Sequence, residues 1–537
     1  MFQVRYKIPH LKTRMSLLKV SLALLTLALV CCLLVAACSE TGQPLEPVSY
    51  TIADDTGDWG YPSPYTHYAR GPGYVRMSFL FDTLVWKDAS GFVPALAKEW
   101  EYMSAENAYV FKLRGDVTWH DGVEFTAEDV VFTFNYTMEH PFQWVDSSIV
   151  TLAEAIDEYT VKLYLSKPYA PFFQDVAGTL PILPKHIWEG IEEPEKFVAK
   201  EAVIGTGPYI LADYSKEHGS YLYKAYSDYY LGKPAVDELK FVKISKEMIP
   251  AALKGGSMDA GDTPPEVISE MEEAGLTVIT APYAWNAKLT INHQKEPLSS
   301  KQFRQALAYA IDREALVQIT QRGHAMAGSP GMIPPTSDWY NPGIPQYEYD
   351  PAKAKQLLEG LGYGMKDGYF TKGGEELALE LIAPADYKEV GQFIKQQLEA
   401  VGIKIDFRTL EVKTVDAKVE AWDFDLSIYG HGGLYEPSML NKVITGKGFI
   451  SSRYTSNETL NELLENQLTE MDRGKRVNIV RQIQELYAEG LPAFTLYYPN
   501  WYWAHDGSVE LFYTNDGIAF GIPIPLNKLA FMEYQAM

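Results

Sequence analysis

The chain has 537 residues, 47% of them hydrophobic, with 47 basic and 70 acidic side chains for a net charge of -23. That length calls for two or three domains with sizeable cores, and the acidic balance excludes an ordinary nucleic-acid binder. Cys31, Cys32 and Cys38 are the only cysteines, which excludes a disulfide scaffold, a zinc–cysteine site or a thiol nucleophile in the body.

In chain order, the first element is an export leader. Arg5, Lys7, Lys12, Arg14 and Lys19 precede an apolar run, SLALLTLALVCCLLVAAC, with no acid among them. Val35-Ala36-Ala37-Cys38-Ser39 resembles the lipobox of bacterial lipoproteins, so residues 1–37 are expected to be removed and Cys38 lipidated. Met15 could serve equally well as the start. The mature chain would then carry 42 basic against 70 acidic residues, or -28. Residues 38–46 are polar with one proline, Pro44, and read as a tether. No later stretch is apolar enough to span a membrane.

The body opens with short apolar runs and turns over 47–86. Residues 108–113 alternate as a strand, and Asp121-Gly122 is a turn. Thr126 is an N-cap with Asp129 three residues later. Residues 159–166 alternate again, IGTGPYI (204–210) is a turn entering a strand, and 237–245 form another strand. Residues 301–318 show one amphipathic helix capped by Ser300, with Phe303, Leu307, Ala310 and Ile311 inward. Asp350-Pro351 starts a helix that Gly362 ends. A strand (377–383), a helix (389–400) and a strand (403–408) repeat the order of an α/β domain. Residues 422–430 read as a strand. Residues 457–489 are helical, with a break at Gly474 and with Asp472, Arg473 and Arg476 facing solvent. The last strand, 491–503, leads into an aromatic cluster.

Catalytic signatures are missing: no G-x-S-x-G, H-E-x-x-H, G-x-G-x-x-G or P-loop pattern occurs. His120-Asp121 reads as a turn, because neighbouring residues rarely point at one another. The chain is read as a non-enzyme with no cofactor. An exported hydrolase and a surface adhesion or sensor lipoprotein are rivals that no motif supports. The 11 tryptophans and 36 tyrosines are more informative, since rigid aromatics that do not fill cores can wall a cleft. The candidates are Trp285, Trp339-Tyr340, Trp422 and Trp501-Tyr502-Trp503, whereas Trp86 and Trp119 read as buried.

Several segments together resemble the extracellular solute-binding protein family 5 of ABC transporters. They include FDTLVWKD (81–88), YVFKLRGDVTWHDGVEFTAEDVVFTFNY (109–136), IGTGPYIL (204–211), FRQALAYAIDREALV (303–317) and YDPAKAKQLLEGLGY (349–363). The resemblance implies an α/β, two-lobed periplasmic-binding-protein-like fold (type II, cluster C-like) with an additional domain. Domain I would comprise 47–85, 204–288 and 496–537, domain II 86–203, and domain III 289–495. It also implies a lipid-anchored monomer on the extracytoplasmic face of the cell membrane. That monomer would capture peptides between domains I and III and deliver them to an ABC permease and its ATPase subunits. A nickel or other metal chelate, or an oligosaccharide, is the alternative ligand.

The ligand contacts expected from the resemblance are Trp285, Asn286, Tyr429, His431, Gly432, Glu436, Trp501 and Tyr502. The aromatics would be walls, and Asn286 and the Gly432 backbone would hydrogen-bond the ligand. Peptide binders of this family commonly place an aspartate after a domain III strand to pair with the peptide amine. Here IYGHGGLYEPSML (428–440) has Glu436 as its sole acid, so Glu436 is the expected countercharge. His431 would be a metal ligand only if the ligand is a metal chelate.

Overall fold

A computed structural model describes residues 46–281, 283, 285–432, 434–519 and 521–535. The expected leader and Cys38, the expected lipidation site, lie outside the described residues. The chain divides into Met1–Val48 and a compact unit, Ser49–Met537. Among the described residues no helix is long and apolar enough to cross a membrane.

Local signals set the helix starts in the compact unit. Thr126 and Asp129 close a reciprocal capping box on the helix Ala127–Glu139, which satisfies two backbone donors that the first turn leaves free. Ser300 accepts from Phe303 N and Asp350 from Lys353 N, so both sequence-read caps are present. The expected single helix over 301–318 is two, Lys301–Tyr309 and Arg313–Thr320. Asp312 sits between them in extended conformation and caps the second by accepting from Ala315 N. Gly474 is not a break either. It lies in the first turn of Arg473–Gly490, and the break is at Asp472, whose carboxylate accepts from Lys475 N. Arg476, expected in solvent, is buried. The strand expected over 422–430 runs Leu426–Gly432, because Trp422 turns the chain with φ 56°.

Three main sheets organise the unit. The first has seven strands, in the order Thr277–Ala281, Trp501–His505, Ala260–Asp262, Ser49–Asp54, Glu238–Lys243, Ser220–Ala225 and Tyr209–Ser215. The second has six: Ala325–Ala327, Ala493–Pro499, Trp285–Ile291, Leu426–Gly432, Ala378–Pro384 and Lys404–Leu410. A four-stranded antiparallel sheet spans Ala97–Met103 to Thr160–Leu165. We call the first sheet with its packed segments the first lobe, and the second sheet with its helices the second lobe. A large apolar core joins the second sheet to the helices Lys301–Tyr309, Pro351–Gly360 and Lys388–Ala400.

Sheet membership shows where the chain passes from one sheet to the other. Trp285–Ile291 and Ala493–Pro499 lie wholly in the second sheet, so the chain changes sheet before Trp285 and after Pro499. Val85–Lys87 pairs with Phe92–Pro94 in a separate two-stranded sheet. The two sheet changes are adjacent. Ala281 pairs with Trp501 in the first sheet, and Ala287 pairs with Tyr497 in the second.

Close approach explains two glycines of the IGTGPYI turn. A Cβ on Gly205 would lie 1.9 Å from Leu80 O, and one on Gly207 would lie 2.6 Å from Leu80 C. The turn is held there by Gly207 N donating to Leu80 O at 2.8 Å.

Candidate functional site

The two sheet changes border a cavity of about 490 Å³ between the lobes. Its walls are strongly aromatic. Trp285, which opens a second-sheet strand, and Trp501, which opens a first-sheet strand, stack with ring centres 5.8 Å apart and planes at 27°. Trp285 Nε1 donates to Tyr387 OH at 3.1 Å, which fixes the indole. Gly430 is required beneath it, since a Cβ there would meet Trp285 Nε1 at 1.9 Å. Trp59, Trp144 and Phe449 add further walls.

Trp144 shows how a wall is made rigid. Its ring stacks on His67 at 6.3 Å and 8°, and its Nε1 donates to His67 Nε2 at 2.9 Å. His67 Nδ1 lies 2.8 Å from the Ser63 carbonyl, which must accept, so Nε2 carries the lone pair. Burial pushes the His67 pKa down to about 4, which keeps that acceptor at neutral pH.

The expected contacts divide into two groups. Trp285, His431, Gly432 and Trp501 line the cavity. Tyr429 stands beside it, with its OH 3.4 Å from Arg70 Nη1 and its ring 5.6 Å from Phe449. Asn286 is buried behind the wall. Its Nδ2 donates to Met332 O at 3.2 Å and to Thr495 Oγ1 at 3.3 Å. Asn286 Oδ1 and His431 Nε2 are both buried without a protein partner and line one small void behind Trp285. Burial and the nearby Lys288 push the His431 pKa well below its usual value, so its ring is neutral. Tyr502 points away from the cavity, with its OH 3.0 Å from His324 Nδ1 and 3.3 Å from Asn500 Nδ2.

Glu436 is engaged inside the second lobe. It pairs with Arg476 and accepts from Ser438 N at 3.1 Å. Arg476 is held in turn by Gln467 O at 2.8 Å. The expected countercharge role thus meets an internal partner instead of an open cleft. Trp339 and Trp422, both offered as wall candidates, pack in separate apolar cores, and Arg473 and Arg476 stack on Trp339. His120 and Asp121 do not pair. The His120 ring lies 2.9 Å from Gly207 O, whereas Asp121 meets His186.

Among the described lining residues the charged side chains are Arg70 and Lys442, and no carboxylate lines the cavity. Among the described residues no group of three His, Cys, Asp or Glu could hold a metal ion. Sequence reasoning missed Trp59, Arg70, Trp144 and Phe449. All four lie outside the described strands, so no periodicity marks the direction they face.

The family model of bacterial extracellular solute-binding proteins, family 5 (middle), matches residues 91–441, and the chain belongs to this family. It is 32% identical to the dipeptide-binding protein of Escherichia coli (strain K12) over 301 residues, 50% of this chain and 55% of that protein. It is 25% identical to the oligopeptide-binding protein AppA of Bacillus subtilis (strain 168) over 442 residues, 78% of this chain and 80% of that protein. The fold matches the mannohexaose-bound periplasmic oligopeptide-binding protein of Thermotoga maritima at a TM-score of 0.75 and 24% identity, over 91% of this chain and 99% of that one. The two-lobed α/β binding-protein fold expected from the sequence is therefore the fold observed. Solute binding, not catalysis, is the activity this family carries.

Proposed function

We propose that this protein is the capture subunit of an ABC importer, tethered to the extracytoplasmic face of the membrane through Cys38. The lobes close over a solute, and the closed form passes it to a permease powered by ATPase subunits. The observation that carries this reading is the aromatic cavity at the paired sheet changes, where both lobes supply walls to one ligand. A ligand that touches both lobes favours the closed state by its differential contacts.

The ligand is a peptide, in line with the names of the relatives. It is held through its backbone and by aromatic walls, without a carboxylate for its amino terminus, because Glu436 is taken by Arg476. Water fills the space each side chain leaves, so the specificity is broad. One observation favours a second reading, an oligosaccharide. Four tryptophans in a cavity with no lining carboxylate suit stacking on uncharged sugar rings.

Native mass spectrometry of the monomer from Ser39 onward, followed by denaturing identification of what copurifies, tests both. A heterogeneous set of short peptides supports the first reading. A saccharide moves the assignment to the second. A single nickel chelate removes both.

A further inference from the structure

We infer that Arg70 is a clasp between the lobes, which sets how far the cleft closes before a ligand arrives. The inference rests on the proposed lobe closure but not on the identity of the ligand.

Arg70 is anchored in the first lobe. Its backbone N donates to Tyr68 O at 2.7 Å, and its carbonyl accepts from Tyr74 N at 3.1 Å, at the start of the helix Gly71–Ser78. Its side chain reaches across the cavity mouth to three groups of the second lobe. Nη2 meets Asp416 Oδ2 at 3.1 Å, Nη1 faces Tyr429 OH at 3.4 Å, and the guanidinium carbon lies 4.9 Å from the Phe449 ring centre. Asp416 stands on the helix Val412–Glu420, which packs on the second sheet, and Tyr429 stands on the strand Leu426–Gly432. One side chain of the first lobe is thus read by a carboxylate, a hydroxyl and an aromatic face of the second.

Two details suit a releasable contact. The pair is end-on: Asp416 Oδ1 is buried without a partner, so the two-point fork that an arginine can form with a carboxylate is left half made. The pair is also only partly shielded, with 29% and 19% side-chain exposure. It is still better shielded than Arg322–Glu266, which joins the same two lobes at 64% and 43% exposure. Exposed pairs of that kind contribute little. Other contacts, such as Ser438 Oγ donating to Asp175 at 3.1 Å, join the second lobe to residues beyond the four-stranded sheet and do not cross the cavity mouth. Because Arg70 itself lines the cavity, closure without ligand and contact with ligand draw on the same guanidinium.

The test measures lobe separation without any ligand. All three cysteines precede Ser39 and Ser49–Met537 is a compact unit by itself, so the protein from Ser39 onward accepts a clean pair of spin labels. Exposed Lys216 in the first lobe and Lys366 in the second, each changed to Cys, report the separation by electron–electron resonance. Arg70→Gln and Asp416→Asn are each expected to shift the closed-to-open ratio toward open by about fivefold. Arg70→Lys should keep part of the closed population. Arg70→Glu should open the cleft further, and combining it with Asp416→Arg should restore closure. That rescue is a readout that a merely structural role would not move. Distributions that 1 M salt shifts but no Arg70 or Asp416 variant shifts would overturn the clasp alone. A ligand-free distribution that neither salt nor any variant shifts would also overturn the clasp, and one that the copurified material leaves unshifted as well would overturn lobe closure. Failure of the charge swap to restore closure would overturn the pairing with Asp416.

Discussion

Lys528 places its ammonium on the Asp82 carboxylate, 446 positions away in the chain, where the two side chains are 1% and 0% exposed. The lysine also lies 4.1 Å from the Trp86 ring centre, and Trp86 Nε1 donates to the neighbouring Asn527 Oδ1 at 3.0 Å. The C-terminal segment is therefore pinned to the first lobe by a buried charge pair. Lys528→Met would leave Asp82 unpaired in the core, at a cost of about 3–5 kcal/mol. Chemical denaturation should show that loss, while the double change Lys528→Met with Asp82→Leu recovers much of it.

Glu436 gives a prediction that separates fold from binding. Glu436→Gln leaves Arg476 without its carboxylate, and stability should fall by about 3 kcal/mol. Calorimetry should find the copurifying ligand bound with little change, since the glutamate faces Arg476 and not the cavity. A sharp loss of peptide affinity would restore Glu436 as the countercharge.

The same geometry predicts indifference to a blocked amino terminus. With no carboxylate among the described lining residues, an N-acetylated copy of a copurified peptide should bind within about threefold of the free form. Titration calorimetry with the two forms is the check.

Trp285→Ala and Trp501→Ala should each weaken the identified ligand by roughly 1–3 kcal/mol, since both remove a wall. Trp422→Phe should leave affinity unchanged, because its ring packs in a separate core.

Lys288 predicts a pH dependence. Its Nζ donates to Ile450 O, and burial pushes its pKa down to about 7. Between pH 7 and the ordinary lysine value the unfolded chain binds more protons than the folded one, so this residue makes stability rise with pH across that window. The penalty is complete below pH 7 and gone near pH 10.5. Lys288→Met should remove a rise on the order of 4 kcal/mol, seen as a flatter midpoint between pH 7 and 10 in urea.

Much of the fold was legible from local chemistry. Thr126, Ser300 and Asp350 are caps because their side chains can accept from a free backbone donor, and that chemistry needs no tertiary context. Gly474 misled because a glycine is tolerated in a first turn when an aspartate caps it. Arg476 misled for a different reason. Its burial depends on Glu436, 40 positions earlier, and no periodic pattern within a helix announces a distant partner.

The site was legible only where it sits on strands. Trp285, His431, Gly432 and Trp501 are strand residues whose neighbourhood the family resemblance located. Asn286 neighbours Trp285, yet alternation turns it, with its cross-strand partner His431, to the other face of the sheet. Arg70 and Trp144 come from irregular segments far away in the chain, and only folding brings them to the same cavity.

The side-by-side sheet changes have a mechanical consequence. A single strand between two bodies is a tether, and it leaves them free to twist, slide and swing. Here Ala281–Trp501 pairing on one side and Ala287–Tyr497 pairing on the other hold the ends of two connections side by side. A ribbon bends more readily across its flat face than it twists, so the proposed closure would follow mainly one soft coordinate. In the closure proposed above, opening would then retrace the path of closing.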